Sequence, residues 1–339
     1  MESKSEVERQ KADRSWLRGI LHSSSFILCC VIAANAAMAQ QYPTRPIRLV
    51  LGFAPGGSSD TMARTLATRL SEGLGQTVVI DNRPGAGGNI AAEIVAKSNP
   101  DGYTMLLGNN GILAVNISLY SKLPFHPIKD FEPIVLAASQ PNILVVNPSV
   151  PAKSVKELIA LAKAKPDGLN YASSGAGTTP HLAAELFKRM AGVSYTLIPF
   201  KGGGPAVVAV IAGQCQFIFA TSLSVQPHMK SGKVRALAVT TPKRSPNFPE
   251  LPTVSEAGVP GFEALTWHGF VAPARTPQPI IARLNSEFNK VFQRPDIRER
   301  LTTLGSEIIG GPPKDLTAYI KKEIPVWAKV IKETGARAD

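Results

Sequence analysis

Twice in this chain an apolar strand runs into a loop of small residues and straight on into the start of a helix. Pro46-Ile47-Arg48-Leu49-Val50-Leu51 leads into Gly52-Phe53-Ala54-Pro55-Gly56-Gly57-Ser58-Ser59-Asp60, and Thr61 to Leu70 follows with apolar residues at helical spacing. In the second half Gly168-Leu169-Asn170-Tyr171-Ala172 enters Ser173-Ser174-Gly175-Ala176-Gly177-Thr178-Thr179-Pro180, and a helix from His181 to Met190 comes next. A helix start leaves its first N–H groups without partners inside the helix, so such a junction presents them to an anion. Ser58, Ser59 and Asp60 are the expected caps of the first helix. At the second, Thr179 is the expected cap and Pro180 the first helical residue, where its missing N–H costs nothing. One loop alone could be a plain turn; its recurrence in each half points to two anion-binding rims facing each other across a cleft.

Between and beyond these loops strands and helices alternate. Gln76–Ile80 and Tyr103–Gly108 read as strands, and Ile90–Lys97 as the helix between them, closed by the turn Asn99-Pro100-Asp101-Gly102. Repeated strand–helix–strand units imply mostly parallel sheets flanked by helices, with ligands outside the carboxyl ends of the strands. That reasoning puts the loop at Phe53, Ala54, Pro55, Gly56, Gly57 and Ser58 on one rim with Asn109 and Asn110. The character of the chain breaks at Pro141 to Pro151, after which Ser154 and Glu157 form a capping box for a helix from Val155 to Ala164. Further strands are expected at Ser194–Phe200, Cys215–Ala220 and Val234–Val239, with a small helix opening at Pro205. Thr241 to Phe262 reads as a traversing loop, and Trp267 to Pro273 as a strand that re-enters the first sheet. Three helices end the chain, at Pro279–Phe292, Asp296–Leu304 and Pro313–Thr334, the last with an internal Pro325 expected to kink or split it.

Residues 1–39 read as an export signal. Lys11, Arg14 and Arg18 precede an apolar core near Phe26 to Ala36, and Ala37-Met38-Ala39 is a signal-peptidase pattern. A membrane anchor would need ~20 apolar residues, and Gly19 to Ala39 contains His22, three serines and Asn35. Cleavage after Ala39 removes Cys29 and Cys30, which no lipoprotein box precedes, and leaves Cys215 as a lone thiol with no disulfide to make. The formal charge of +12 is spread singly or in pairs, and aromatics are only 6% of residues. Nucleic-acid binding would need a basic stripe, with aromatics for single strands, so a diffuse preference for anions is the reading that fits.

Enzymatic signatures are missing. The chain has no P-loop lysine motif, no H-E-x-x-H and no G-x-S-x-G elbow. Ser58, Ser59, Ser173 and Ser174 could be nucleophiles on paper, but capping and ligand hydrogen bonds account for them. His181, at a helix start that disfavours a charged imidazole, reads as a cleft-wall or capping residue. His126, His228 and His268 have no metal-like spacing, so neither metal nor cofactor is expected. Cys215 reads as an inert core thiol, and Trp267 as core or cleft wall alike.

Ordered motifs run along nearly the whole chain after the signal. They are Tyr42-Pro43-x-x-Pro46-Ile47, Phe53-Ala54-Pro55-Gly56-Gly57-x-x-Asp60, Asn82-Arg83-Pro84-Gly85-Ala86-Gly87-Gly88 and Pro100-Asp101-Gly102-Tyr103. Tyr171-Ala172-Ser173, Lys201-Gly202, Arg235-Ala236-Leu237-Ala238-Val239 and Pro252-Thr253-Val254-x-Glu256-Ala257-Gly258 continue them. In these the chain resembles the Bug family of periplasmic solute-binding proteins, the receptors of tripartite tricarboxylate transporters. The resemblance implies an α/β fold of two domains closing like a Venus flytrap, type II-like, each a mostly parallel sheet flanked by helices. It puts residues 42–142 plus 265–339 in domain one and 143–264 in domain two.

The same resemblance implies a monomeric carrier of a small carboxylate, working with the membrane permease subunits of such a transporter. The ligand would lie between loops of both domains, partly through bound waters. Ser173, Ser174, Gly175, Thr178, His181, Lys201, Gly202, Ala220, Thr221 and Ser222 would face the first rim from the second domain. Many members carry an aspartate at the position of Ala220, where it can pair with a ligand amine; its absence here suggests a ligand without an amino group. A ligand sensor feeding a signalling receptor and a secreted hydrolase are the alternative readings.

Overall fold

The computed structural model describes residues 42–338, so the export signal expected at 1–39 lies outside the described residues. The apolar run before the first loop forms strand β1 (Ile47–Leu51), with Leu49, Val50 and Leu51 buried. After the loop comes helix α1 (Ser58–Leu74), which ends on Gly75 in the left-handed region (φ 72°), where a side chain would be strained. Strand β2 (Val78–Asn82), helix α2 (Asn89–Ala96) and strand β3 (Thr104–Asn109) follow. The register Ile47 to Val78 and Arg48 to Thr104 makes β2, β1 and β3 parallel, so the loops after β1 and β3 leave the same edge. A π-helical turn (Gly111–Val115) and the short helix α3 (Asn116–Leu119) continue from β3.

The next strand, β4 (Phe131–Val146), begins eleven residues before the expected Asn142. Pro133 and Pro141 hide its start in the sequence, because proline cannot donate to a strand ladder. Both are accommodated: the pairing slips between Pro133 and Val135, and Pro141 sits where β4 changes partners. The second half then runs through α4 (Val155–Ala164), β5 (Asn170–Ser173), α5 (Thr179–Ala191), β6 (Thr196–Pro199) and α6 (Gly203–Ile211). It goes on through β7 (Phe217–Thr221), α7 (Ser222–Lys230) and β8 (Arg235–Val239). The chain returns in β9 (Leu265–Pro273) and finishes with α8 (Gln278–Gln293), α9 (Pro295–Thr303), β10 (Glu307–Ile308) and α10 (Pro313–Thr334).

Strand order is β2-β1-β3-β9-β4-β7-β5-β6, with β8 and β10 also pairing with β4. The flanks β2-β1-β3 and β7-β5-β6 are parallel, while β9 and β4 run antiparallel through the middle. Re-entry of β9 beside β3 is as expected from the sequence. Along β4, Pro141 faces Leu265 of β9 and Asn142 faces Thr221 of β7. One strand therefore hands over from one set of partners to another within a single peptide.

Among the described residues, apolar clusters lie on either side of that hand-over. The one built from 143–264 centres on Tyr171, Phe187, Phe217, Phe219 and Phe262, with edge-on ring contacts such as Tyr171 to Phe217 at 5.2 Å. Each such fully buried side chain contributes roughly 1.5–3 kcal/mol. The other collects Leu106, Ile112, Phe131, Leu316, Trp327 and Trp267. Trp267 is thus a core residue, its Nε1 donating to Glu323 (3.2 Å), which also accepts from Trp327 (2.9 Å). Pro325 does not split α10. Pro325 and Lys321, whose carbonyl loses its partner, are both exposed, so water can serve that carbonyl.

Candidate functional site

The start of α1 differs from the capping expected of it. Its N-cap is Gly57, extended at φ −84° and ψ 177°, and no side chain caps it. The Ser58 and Ser59 hydroxyls turn instead to Nε2 of His268 on β9, at 3.4 and 3.2 Å. The first intrahelical bond is Thr61 N–H to Gly57 O, which leaves the N–H groups of Ser58, Ser59 and Asp60 ahead of it. Asp60 does hold the helix start, by reaching back: its Oδ2 accepts from Gly56 N–H (3.1 Å) and from Arg64 (2.9 Å), and its Oδ1 from Asn82 (3.3 Å). Burial alone would raise the pKa of Asp60, but the bonds from Arg64, Gly56 and Asn82 outweigh it and hold the carboxyl below its usual range. An acid so occupied does not face a ligand.

The start of α5 is shifted by one residue from the expectation. Thr178, not Thr179, is the N-cap, accepting from His181 N–H (3.4 Å) and donating to Gly175 O (2.7 Å). Three cap-forming residues stand in a row here, and proline suits the second helical position as well as the first. Thr179 is thereby released to bond Asn110 at 2.6–2.8 Å, joining the loop after β3 to α5. Half of the expected Ser154–Glu157 capping box forms, Ser154 Oγ accepting from Glu157 N–H (3.2 Å), while the Glu157 carboxylate reaches one residue further back and accepts from Lys153 N–H (2.7 Å).

These loops meet. A cavity of about 30 Å³ is lined by Phe53, Gly57, Ser58 and Ser59 from the first loop and α1, and by Asn109 at the end of β3. Ser174, Thr178, Pro180, Gly203, Thr221 and Thr266 complete its wall. Gly57, Thr178 and Thr221 are the N-caps of α1, α5 and α7, and Gly203 is the first residue of α6. Four helices therefore begin at one small cavity, and among the described residues no charged side chain lines it. Each start carries a partial positive charge worth ~0.3–1 kcal/mol to a nearby anion, and more where water is excluded.

Of the expected site residues, the cavity gathers Phe53, Gly57, Ser58, Asn109, Ser174, Thr178 and Thr221. The others stand just behind or beside it. Ala54 N–H donates to Lys201 O at 2.9 Å, a direct bond between the first loop and the loop before α6, while the Lys201 side chain is exposed. Pro55 and Gly56 lie against Gly204, where a Cβ would come within 2.4 Å of Pro55 O. Gly202 is the N-cap of α6, and Ser173 accepts from Gly175 N–H (3.3 Å). Ala220 is buried in β7 opposite Ile143, and Ser222 donates to Gly305 O (3.4 Å). His181 is buried behind Thr178, with Nδ1 accepting from Gly177 N–H (3.4 Å). Burial lowers its pKa to about 4, so it is neutral at pH 7.

Pro180, Gly203, Thr266 and His268 went unread as site residues, and Ser59 was read as a cap or a ligand hydrogen-bonding group without being placed among the site residues. Gly203 could have been found as the residue following Lys201-Gly202. Thr266 and His268 could not, because only the pairing of β9 with β3 and β4 brings them under α1. Cys215 is buried, which raises its pKa, as expected of an inert thiol. Among the described residues no cluster of His, Cys, Asp or Glu could hold a metal ion, and no helix is long and apolar enough to cross a membrane.

Known proteins share this architecture. The family model described as "Tripartite tricarboxylate transporter family receptor" matches residues 62–336. The structure of R. palustris Rpa4515 with adipate is 41% identical, covering 87% of this chain and 99% of its own at a TM-score of 0.85. That of the periplasmic binding protein BugD is 36% identical, with coverage of 87% and 99% and a TM-score of 0.85. MatC from Rhodopseudomonas palustris, with bound malate, is 35% identical, with coverage of 86% and 100% and a TM-score of 0.82. The fold is thus that of a two-domain α/β periplasmic binding protein.

Proposed function

The chain belongs to the tripartite tricarboxylate transporter receptor family, also represented by Bug proteins, and on that premise we propose that it captures a small carboxylate for such a transporter. The observation that carries this reading is the convergence of four helix starts on one cavity without a charged side chain. Converging N–H groups and hydroxyls favour an anion, and the lack of a fixed counter-charge lets it leave again. Adipate and malate in two relatives fit the same chemistry. With no carboxylate side chain on the wall, and alanine at position 220, the ligand is one without an amino group. It is bound by the residues of the two loops named above, released unchanged to membrane permease subunits, and carried in the periplasm by a monomer.

The proposed division of labour follows the hand-over in β4. Residues 42–142 with 265–339 form one domain and 143–264 the other, each with its own core, and both contribute to the cavity wall. At about 30 Å³ the cavity takes roughly one water. A dicarboxylate needs the loops to part first and then to close around it.

A serine beside a histidine also resembles half of a hydrolytic triad. His268 lacks the rest of one, since its Nδ1 has no partner to orient the ring and burial lowers its pKa to about 4. The test is a thermal-shift screen of the chain from Gln40 against adipate, malate and larger di- and tricarboxylates, with amino acids as controls. A rise in Tm with a carboxylate, level between about pH 6.5 and 8, where both histidines are neutral in the folded protein and the ligand is fully ionised, is the expected outcome. Selective binding of an amino acid, or no shift with any carboxylate, overturns the proposal.

A further inference from the structure

His268 is completely buried in β9, between Asn109 of β3 and Ala138 of β4 in the sheet. Its Nδ1 has no hydrogen-bond partner among the described residues, and its Nε2 faces two oxygens, Ser59 Oγ at 3.2 Å and Ser58 Oγ at 3.4 Å. For both hydroxyls it is the one side-chain partner among the described residues. The direction of three protons is at stake: one on the imidazole and one on each serine. If the ring proton sat on Nδ1, it would be a buried donor with nothing to accept it. Nε2 would then draw one serine proton inward, away from the cavity. If it sits on Nε2, the ring donates to the serine oxygens, and Nδ1 is left as an unmatched acceptor. Among backbone groups, buried donors without acceptors are rarer than acceptors without donors, and the same asymmetry is taken for the ring. Burial keeps the ring in a neutral form, so one of the two tautomers must hold.

We infer that His268 is a positioning residue whose Nε2–H donates to Ser59 and Ser58, so that both serine hydroxyls turn their own protons into the cavity as donors to a bound oxyanion. Beneath the first turn of α1, a side chain that never touches the ligand thus sets the polarity of two that do. Hydroxyls accept as readily as they donate. Held in this sense they complement a carboxylate rather than a hydroxyl donor, which adds selectivity to the attraction of the helix starts. The inference rests on the carboxylate reading for the identity of the oxyanion, but not for the state of the ring.

Long-range proton–nitrogen NMR correlations of the protein labelled with ¹⁵N-histidine at pH 7 read that state directly, the His268 signals being those lost in His268→Gln. The pattern of a neutral ring protonated on Nε2 is expected; protonation on Nδ1, or a cationic ring, overturns the inference. Titration calorimetry with adipate and malate as probes supplies the second reading. His268→Leu, which keeps the volume but offers no donor, should bind roughly tenfold more weakly, as for one lost hydrogen bond to a charged group. His268→Gln restores a side-chain N–H and should recover most of that loss at unchanged Tm, whereas equal affinity in wild type and His268→Leu overturns the positioning role. If wild type binds no carboxylate, the carboxylate reading falls, and the nitrogen spectrum still decides the tautomer.

Discussion

The two loops that look alike in the sequence differ in what they leave unbonded. At the start of α5, Pro180 has no N–H and His181 N–H is taken by the Thr178 hydroxyl, so only Thr179 brings a spare backbone donor. At the start of α1 no side chain caps, and Ser58, Ser59 and Asp60 all stand ahead of the first intrahelical bond. A satisfied helix start is a rigid wall; an unsatisfied one at a cavity is a binding site in waiting. On the proposed carboxylate reading, the difference gives anion recognition chiefly to the first loop and shape chiefly to the second, with α6 packed against the first loop at Gly204.

Gly204 is where that comparison breaks most easily. An added Cβ would meet Pro55 O at 2.4 Å and Gly56 at 3.0 Å, both backbone, which cannot move aside as a side chain can. Gly204 is the second residue of α6 and lies outside the left-handed region, so the backbone itself accepts alanine there. Gly204→Ala should therefore leave stability intact while holding the loops apart. Carboxylate affinity should fall about a hundredfold, in proportion to the closed fraction lost. Calorimetry beside a melting curve checks it; unchanged affinity would mean that the ligand binds without closure.

A tenfold effect separates the backbone of the first loop from its side chains. Gly57 is extended, as the residue before a proline prefers to be, and Ser58 is the first helical residue. Ser58→Pro should thus fold normally while removing both a hydroxyl and an N–H, and Ser58→Ala removes the hydroxyl alone. The proline variant should bind roughly tenfold more weakly than the alanine variant, the size of one hydrogen bond to a charged acceptor. Equal affinities would move recognition away from the α1 backbone.

How much of this could be read in advance follows the range of the interactions involved. Both strand–loop–helix junctions were legible because glycine, serine, threonine and proline dictate local backbone geometry, and five wall residues came with them, while Asn109 was read from the strand end and Thr221 from the family resemblance. The same local reading slipped by one residue at Thr178, and gave Ser58 and Ser59 a capping role although Gly57 is the N-cap and both serines lie inside the helix. It could not see that Ser58 and Ser59 answer to His268, because that contact spans about two hundred residues and exists only once β9 lies beside β3. The long β4 was hidden for a related reason: Pro133 and Pro141 read as breaks, and only pairing with β9 shows that they fall at a slip and at a change of partners.

The smallest expected effect tests the second loop as a wall. Thr178→Ala removes the cap of α5, which typically lowers stability by about 1 kcal/mol. It also frees His181 N–H toward the cavity, since the hydroxyl that now occupies it is gone. If α5 serves mainly as a preset wall, Tm should fall by a few degrees while carboxylate affinity holds or improves slightly through the extra donor. A variant of unchanged Tm whose affinity collapses would make Thr178 a ligand-binding group first and a cap second, and the two loops would then be equal partners in recognition.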